Sequence, residues 1–296
     1  MKQFILISIF LITITQSTYP IALFHGIGDQ CSNNAMKGIM RRLENGLNTK
    51  VYCIEIGNGK IDSIIKNFEK QAKEGCENIK KIPELQNKFN IFGVSQGTLL
   101  GRYIIEKCDM KGKVVNYLSF MGPQMGIGFI PKLTCGKICD YLNKIVSDID
   151  NVLDNVLVNI LGPASYWKYR YHYDRYMKHN KFLKDLNNEG EVKNYEYKNR
   201  MIQLNKVMLI KGKEDTVISP RDSSWFEFYD KEGKEIVKLE NSDFYKDDYI
   251  GLRKLIEDGK VEFVLFSGEH VKYTEEEFQK YIIPFFADDG DKNVIQ

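Results

Sequence analysis

The sequence predicts an α/β protein built on a doubly wound, mostly parallel sheet flanked by helices. Three observations predict it. Short β-branched or aromatic runs alternate with longer stretches of helical periodicity. Several of those runs are apolar throughout, as strands buried on both faces are. The length of 296 residues suits one large unit of this kind. The strand-like runs are residues 20–25, 50–56, 88–94, 114–120, 207–211 and 261–266. Helical patterns fill 34–47, 61–79 and 97–106 between them.

One segment breaks the rhythm. From 122 to 200 no strand is apparent, yet Ile138, Tyr141, Leu142, Ile145, Ile149, Val152, Leu153, Val156, Leu157 and Ile160 advance by threes and fours. That spacing makes one apolar face of a long helix, which Gly162-Pro163 would end. Such a helix either covers a sheet edge or forms a wall over a site at the strand ends. Residues 287–296 read as a flexible tail.

The chain carries 42 Lys+Arg against 40 Asp+Glu, a net charge of +2. So even a balance gives no field for non-specific nucleic-acid binding. Apolar residues at 43% and charged ones at 28% exclude a disordered, collagen-like or multi-span membrane chain. Residues 1–17 read as a secretory signal peptide: a basic start at Lys2, an apolar run over 4–14, and the small-x-small end Thr15-Gln16-Ser17. The run is shorter than the about 20 residues of a membrane span. An oxidising compartment then makes disulfides the expected use of six cysteines, with fifteen formal pairings. Cys135 and Cys139 are the best fragment of a zinc site, but no second Cys or His pair at metal spacing accompanies them. No metal and no cofactor is expected.

The chemistry lies in Gly93-Val94-Ser95-Gln96-Gly97, between an apolar run and a helical pattern. Strand, sharp turn and helix make the context of a nucleophile elbow, with glycines where the turn is tight. A serine nucleophile needs a base, and the base an orienting carboxylate. Of four histidines, only His270 follows a late strand; Asp215 follows the run ending at 211, with Glu214 its less favoured neighbour. Ser95, Asp215, His270 is the chain order of α/β-hydrolases. The oxyanion donors expected are the Gln96 N–H at the helix start and the Ile27 N–H in His25-Gly26-Ile27-Gly28-Asp29. His25 reads as a structural residue of that loop. A dinucleotide loop is excluded there, because residue 31 is Cys where G-x-G-x-x-G needs glycine.

His25-Gly26-Ile27-Gly28-Asp29, the Ser95 elbow, Gly122-Pro123-Gln124-Met125-Gly126, Ser165-Tyr166-Trp167, the stretch 222–229 and Ile282-Ile283-Pro284-Phe285 together resemble the palmitoyl-protein thioesterases, lysosomal enzymes. The likeness runs from about Tyr19 to Phe286. It implies an α/β-hydrolase domain over 18–286, with the helical insertion 122–200 forming a lipid-binding wall. It implies removal of palmitoyl groups from S-acylated cysteines in proteins or peptides, with an acyl-enzyme on Ser95, the acid on Asp215, the base on His270 and donors on Ile27 and Gln96. Isoleucine stands where the family usually has methionine, a harmless change if only the backbone N–H acts. The resemblance also implies disulfides Cys76–Cys108 and Cys135–Cys139; Cys31 and Cys53 remain, and a strand-end loop beside a neighbouring strand would let them pair. The chain departs from the family in lacking any Asn-x-Ser/Thr sequon, which leaves its sorting open between lysosome and secretion.

Physical chemistry favours such a substrate. Burying a sixteen-carbon chain at about 0.8 kcal/mol per CH₂ gives gross binding on the order of 10 kcal/mol, which an apolar wall can collect. A thiolate, with a conjugate acid near about 8.5, leaves more readily than an alkoxide. The same residues would serve a lipid esterase or acyl-CoA thioesterase, and a lipid-binding protein could keep the fold without catalysis. Residues 166–176 interleave aromatics with cations, which tempts a nucleic-acid reading. Near-neutral charge favours a surface helix that packs its rings inward, with at most transient membrane contact. The expected partners are S-palmitoylated proteins or peptides and fatty acyl thioesters; no nucleic acid is expected, and the protein is expected to act as a monomer.

Overall fold

Every second side chain of the main strands enters a different core. In β1 (Ile21–Phe24), Ile21 and Leu23 join one apolar cluster while Ala22 and Phe24 join the other. In β5 (Lys206–Gly212), Val207 and Leu209 face one side, and Met208 and Ile210 the other. Strands apolar on both faces must be covered on both faces. The computed structural model describes residues 18–128 and 161–287. The leader 1–17, Cys135 and Cys139, the apolar positions 138–160 and the tail from 288 lie outside the described residues.

Six parallel strands form the sheet in the order β2-β1-β3-β4-β5-β8. The remaining members are β2 (Val51–Cys53), β3 (Lys88–Val94), β4 (Lys113–Phe120) and β8 (Val261–Phe266). Helix α1 (Asn34–Leu47) buries Met36, Ile39, Leu43 and Leu47 on one face of the sheet. Helices α3 (Phe68–Lys80) and α4 (Gly97–Lys107) cover the other. The strand order therefore reverses between β1 and β3, and it is outside the C-terminal ends of such a pair that open α/β sheets form the crevice for their ligands.

The expected strand over 50–56 closes after Cys53, and the expected helix over 61–79 is broken. A short helix α2 (Asp62–Ile65) ends at Lys66, whose ψ of 133° is extended. Asn67 then starts α3, its side chain accepting from the Lys70 N–H at 3.1 Å. Gln71 Nε2 satisfies the carbonyls freed at the break, Lys66 at 2.7 Å and Ser63 at 3.2 Å. A two-stranded antiparallel ribbon, β6 (Phe228–Tyr229) and β7 (Ile236–Val237), was not expected from sequence. Its turn is closed by the Asp230 carboxylate, which accepts from the Lys234 N–H at 2.7 Å.

The aromatic stretch 166–176 is not the surface helix expected. A 3₁₀ turn over Pro163–Tyr166 leads into non-helical chain, and a helix begins only at Tyr173. Trp167, Lys168 and Tyr169 are buried. Asn180 Nδ2 donates to the carbonyls of Ser165 and Trp167, both at 3.0 Å, which replaces helical hydrogen bonds there. Lys168 pairs with Glu189 at 2.7 Å and lies 4.8 Å from the centre of the Tyr176 ring. Among the described residues the disulfides are Cys31–Cys53 and Cys76–Cys108, with no free cysteine.

One ion pair is wholly enclosed. Arg102 Nε donates to Glu106 Oε1 at 2.8 Å, and both side chains are 0% exposed. Burial raises the Glu106 pKa to about 7, with the Arg102 charge opposing it. Glu106 Oε2 has no hydrogen-bond partner, so a proton is accommodated there. The folded chain then binds that proton more tightly than the unfolded chain, whose carboxyl titrates near 4.5. The resulting stabilisation is complete below pH 4.5 and is lost as pH rises to about 7, on the order of 3 kcal/mol. Thermal melts should therefore fall between pH 5 and pH 7.5 for the wild type, and fall less for Glu106→Gln. Equal slopes in both proteins would exclude this group as the cause.

Candidate active site

Ser95 sits on the turn between β3 and α4 with a φ of +52°, a left-handed conformation that costs a non-glycine residue energy. Its neighbours must be small. A Cβ on Gly93 would stand 2.4 Å from Thr98 Cα, and one on Gly97 would stand 2.5 Å from the Phe24 carbonyl oxygen. The turn is held from both sides: the Ser95 N–H donates to the Phe120 carbonyl at 2.9 Å, and Thr98 Oγ1 donates to the Ser95 carbonyl at 2.8 Å. The hydroxyl is thereby presented at the crevice between β1 and β3.

Asp215 follows β5 and is 4% exposed. Its Oδ1 accepts from the N–H groups of Val217 at 2.9 Å and Ile218 at 3.0 Å, which leaves Oδ2 free to face His270 Nδ1 at 2.7 Å. His270 Nε2 lies 2.9 Å from Ser95 Oγ. Because Oδ2 of the carboxylate accepts, Nδ1 carries the proton, and Nε2 presents a lone pair to the serine hydroxyl. Three side chains separated by up to 175 residues are thus in line, each at hydrogen-bond length. Glu214, the alternative acid, is exposed, and its N–H donates to the Gly268 carbonyl at 3.1 Å, which ties the acid turn to the histidine loop. Val271 follows with a φ of +59° and an N–H 3.0 Å from Met121 Sδ.

The loop after β1 lies directly over the serine, since a Cβ on Gly26 would come within 3.2 Å of Ser95 Cβ. Its Gly28 N–H donates to Ser63 Oγ at 2.9 Å. Gln96 begins α4, and its side chain is locked. Nε2 donates to the Ser63 carbonyl at 2.9 Å and to Gln71 Oε1 at 3.3 Å, and Oε1 accepts from the Tyr166 hydroxyl at 2.9 Å. Burial holds the Tyr166 phenol well above its ordinary range, so it keeps the proton it donates to Gln96. Ser63, Gln71 and Tyr166 were not singled out for this role from sequence; only the resemblance pointed at Tyr166, and nothing local marks the other two.

Among the described residues, His25, Cys31 and Glu55 alone have the spacing of a metal-ligand cluster. Cys31 is bonded to Cys53, so it offers no thiolate. No helix among the described residues is long and apolar enough to cross a membrane. The Gly128 N–H donates to the Ser219 carbonyl beside the acid turn at 2.6 Å, and the Gly162 N–H donates to the Ile64 carbonyl in α2 at 3.1 Å.

The family model described as palmitoyl protein thioesterase matches residues 20–270. A palmitoyl-protein thioesterase 3 from Dictyostelium discoideum is 32% identical over 289 residues, covering 97% of this chain and 96% of that protein. A palmitoyl-protein thioesterase 1 from Caenorhabditis elegans is 31% identical over 261 residues, covering 86% of each. A solved structure of Est1E from Butyrivibrio proteoclasticus with ferulic acid bound has a TM-score of 0.50 at 12% identity, covering 92% of this chain and 88% of that one. That likeness concerns the fold alone, an α/β-hydrolase.

Proposed function

The chain belongs to the palmitoyl protein thioesterase family, and from that membership we propose that it is a serine hydrolase removing palmitoyl groups from S-acylated cysteines in proteins or peptides. The observation that carries the reading is the aligned set Ser95 Oγ, His270 Nε2 and Nδ1, and Asp215 Oδ2, at 2.9 and 2.7 Å. Ser95 attacks the thioester carbonyl as His270 takes its proton on Nε2, and Asp215 holds the resulting imidazolium. The N–H groups of Ile27 and Gln96 receive the negative oxygen. The cysteine thiolate leaves with the proton from His270, and water then repeats the sequence on the acyl-enzyme. No step calls for a metal or cofactor.

The acyl chain is assigned to the insertion 122–200, within which Gly128 meets the acid turn and Gly162 meets α2. Two disulfides and the leader read in residues 1–17 support a place in the secretory route, either the lysosome or outside the cell.

Hydrolysis of a palmitoylated cysteine peptide and of its oxygen-ester analogue, by wild type and Ser95→Ala, tests the reading. Thioester cleavage lowered by at least about 10⁴ in the mutant is the expected result. Cleavage of the oxygen ester alone would place the protein among lipid esterases. Inactivity on both, with Ser95 unlabelled by a fluorophosphonate, would leave a lipid-binding protein.

A further inference from the structure

The loop from His25 to Cys31 is gripped at both ends by a single carboxylate. Glu55 lies just past β2, and its Oε1 is 2.8 Å from His25 Nε2, while its Oε2 accepts from the Cys31 N–H at 2.9 Å. The His25 ring is 2% exposed, and its Nδ1 lies 2.9 Å from the Gly26 carbonyl oxygen. A carbonyl only accepts, so that nitrogen is the protonated one and Nε2 is turned to Glu55. The contact to Glu55 is close but not aligned as a hydrogen bond. Glu55 is itself held: Asn78 Nδ2 donates to its carbonyl at 2.9 Å, and the Cys31–Cys53 disulfide joins the loop's end to the last residue of β2. Between the two gripped ends lies Ile27, next to Gly26, whose Cβ position is 3.2 Å from Ser95 Cβ.

We propose that Glu55, through His25, is a positioning residue that sets the direction of the Ile27 N–H toward the oxygen developing on Ser95-bound substrate. The proposal rests on the catalytic reading above. Glu55 touches no reacting atom. It fixes the imidazole at one end of the loop and the Cys31 N–H at the other, and the Gly26 carbonyl contact passes that constraint to the peptide before Ile27. Glycines 26 and 28 alone would leave that peptide free to turn. A donor displaced by a fraction of its hydrogen-bond length loses part of what deleting it would lose.

The test uses the full-length protein, with active sites counted by fluorophosphonate labelling carried to completion. Glu55→Ala is expected to lower kcat per labelled site roughly ten- to hundredfold, with KM within about twofold and an unchanged melting temperature. Glu55→Gln, which keeps an oxygen for the Cys31 N–H and a donor for His25, should recover most of the rate. Binding of the uncleaved palmitoyl thioester should be equal in Ser95→Ala and Ser95→Ala/Glu55→Ala. If Glu55→Ala does not accumulate, Glu55→Asp asks the same question, being too short to reach both contacts. A per-site kcat within twofold of wild type, or a loss that appears only as fewer labelled sites and a lower melting temperature, overturns the proposal and leaves Glu55 as support for the fold. A wild type with neither turnover nor labelling would instead remove the catalytic reading itself.

Discussion

Asp215→Asn should lower kcat on a palmitoyl-cysteine peptide by about 10⁴ while leaving the fold intact. The two backbone N–H groups of Val217 and Ile218 require an oxygen at the Oδ1 position. An asparagine placed there would keep its oxygen on them and turn its NH₂ toward His270 Nδ1. That nitrogen must then accept, so the imidazole proton moves to Nε2 and points at the serine hydroxyl. The ring remains in place but faces Ser95 with a donor where an acceptor is needed. Rates of turnover and of fluorophosphonate labelling should fall together, with a melting temperature close to wild type. A loss of less than tenfold would show that Asp215 is not the orienting carboxylate.

The largest expected loss of stability is at Arg102. Its guanidinium is fully buried and serves four partners: Glu106 Oε1, Asn187 Oδ1 at 2.8 Å, the Leu186 carbonyl at 2.9 Å and the Gln124 carbonyl at 3.3 Å. It also lies 5.1 Å from the centre of the Phe226 ring. Arg102→Met fills similar volume but leaves Glu106 enclosed without a counter-charge, at a cost of about 3–5 kcal/mol. For a chain of this size that is a melting temperature lower by roughly 10 °C. The loss should be smaller at pH 5 than at pH 8, because a protonated Glu106 no longer needs the charge. A loss independent of pH would mean that the severed contacts to 124, 186 and 187, rather than the orphaned carboxylate, dominate.

Much of the fold was legible because its strands are buried on both faces. An uninterrupted apolar run such as residues 88–94 has few alternatives, and β3 has the bounds expected; β8 has them too, although as an edge strand it leaves Phe263 and Leu265 exposed. The break at Lys66 was not seen, since Asn67 acts as a helix cap only because Gln71 satisfies the carbonyls exposed behind it. The ribbon of β6 and β7 was missed because two-residue strands carry no periodicity. Residues 166–172 were misread because their cations suggested water, whereas Glu189 lets Lys168 be buried.

In the site, Ser95, Asp215 and His270 could be named because each directly follows a strand whose pattern is clear. As oxyanion donors, Ile27 is expected from the glycines beside it and Gln96 from its place just after the serine at the start of a helix. Glu55 could not be found this way. It is one acid among 40 Asp+Glu, and its partners stand 24 and 30 residues away.

The distance along the chain between Ser95 and His270 has a consequence in time. Among the described residues β8 is both the last strand and an outer strand of the sheet, paired with β5 alone. A polypeptide emerging from synthesis can complete β1, β3 and β4 and raise its serine on the elbow with no base within reach. On the proposed mechanism, the hydroxyl acquires reactivity only when the final strand docks and brings His270 to Asp215 and Ser95. A chain stalled before that point, or one whose edge strand peels away, is therefore silent rather than indiscriminate, and the act of finishing the sheet is also the act of arming it.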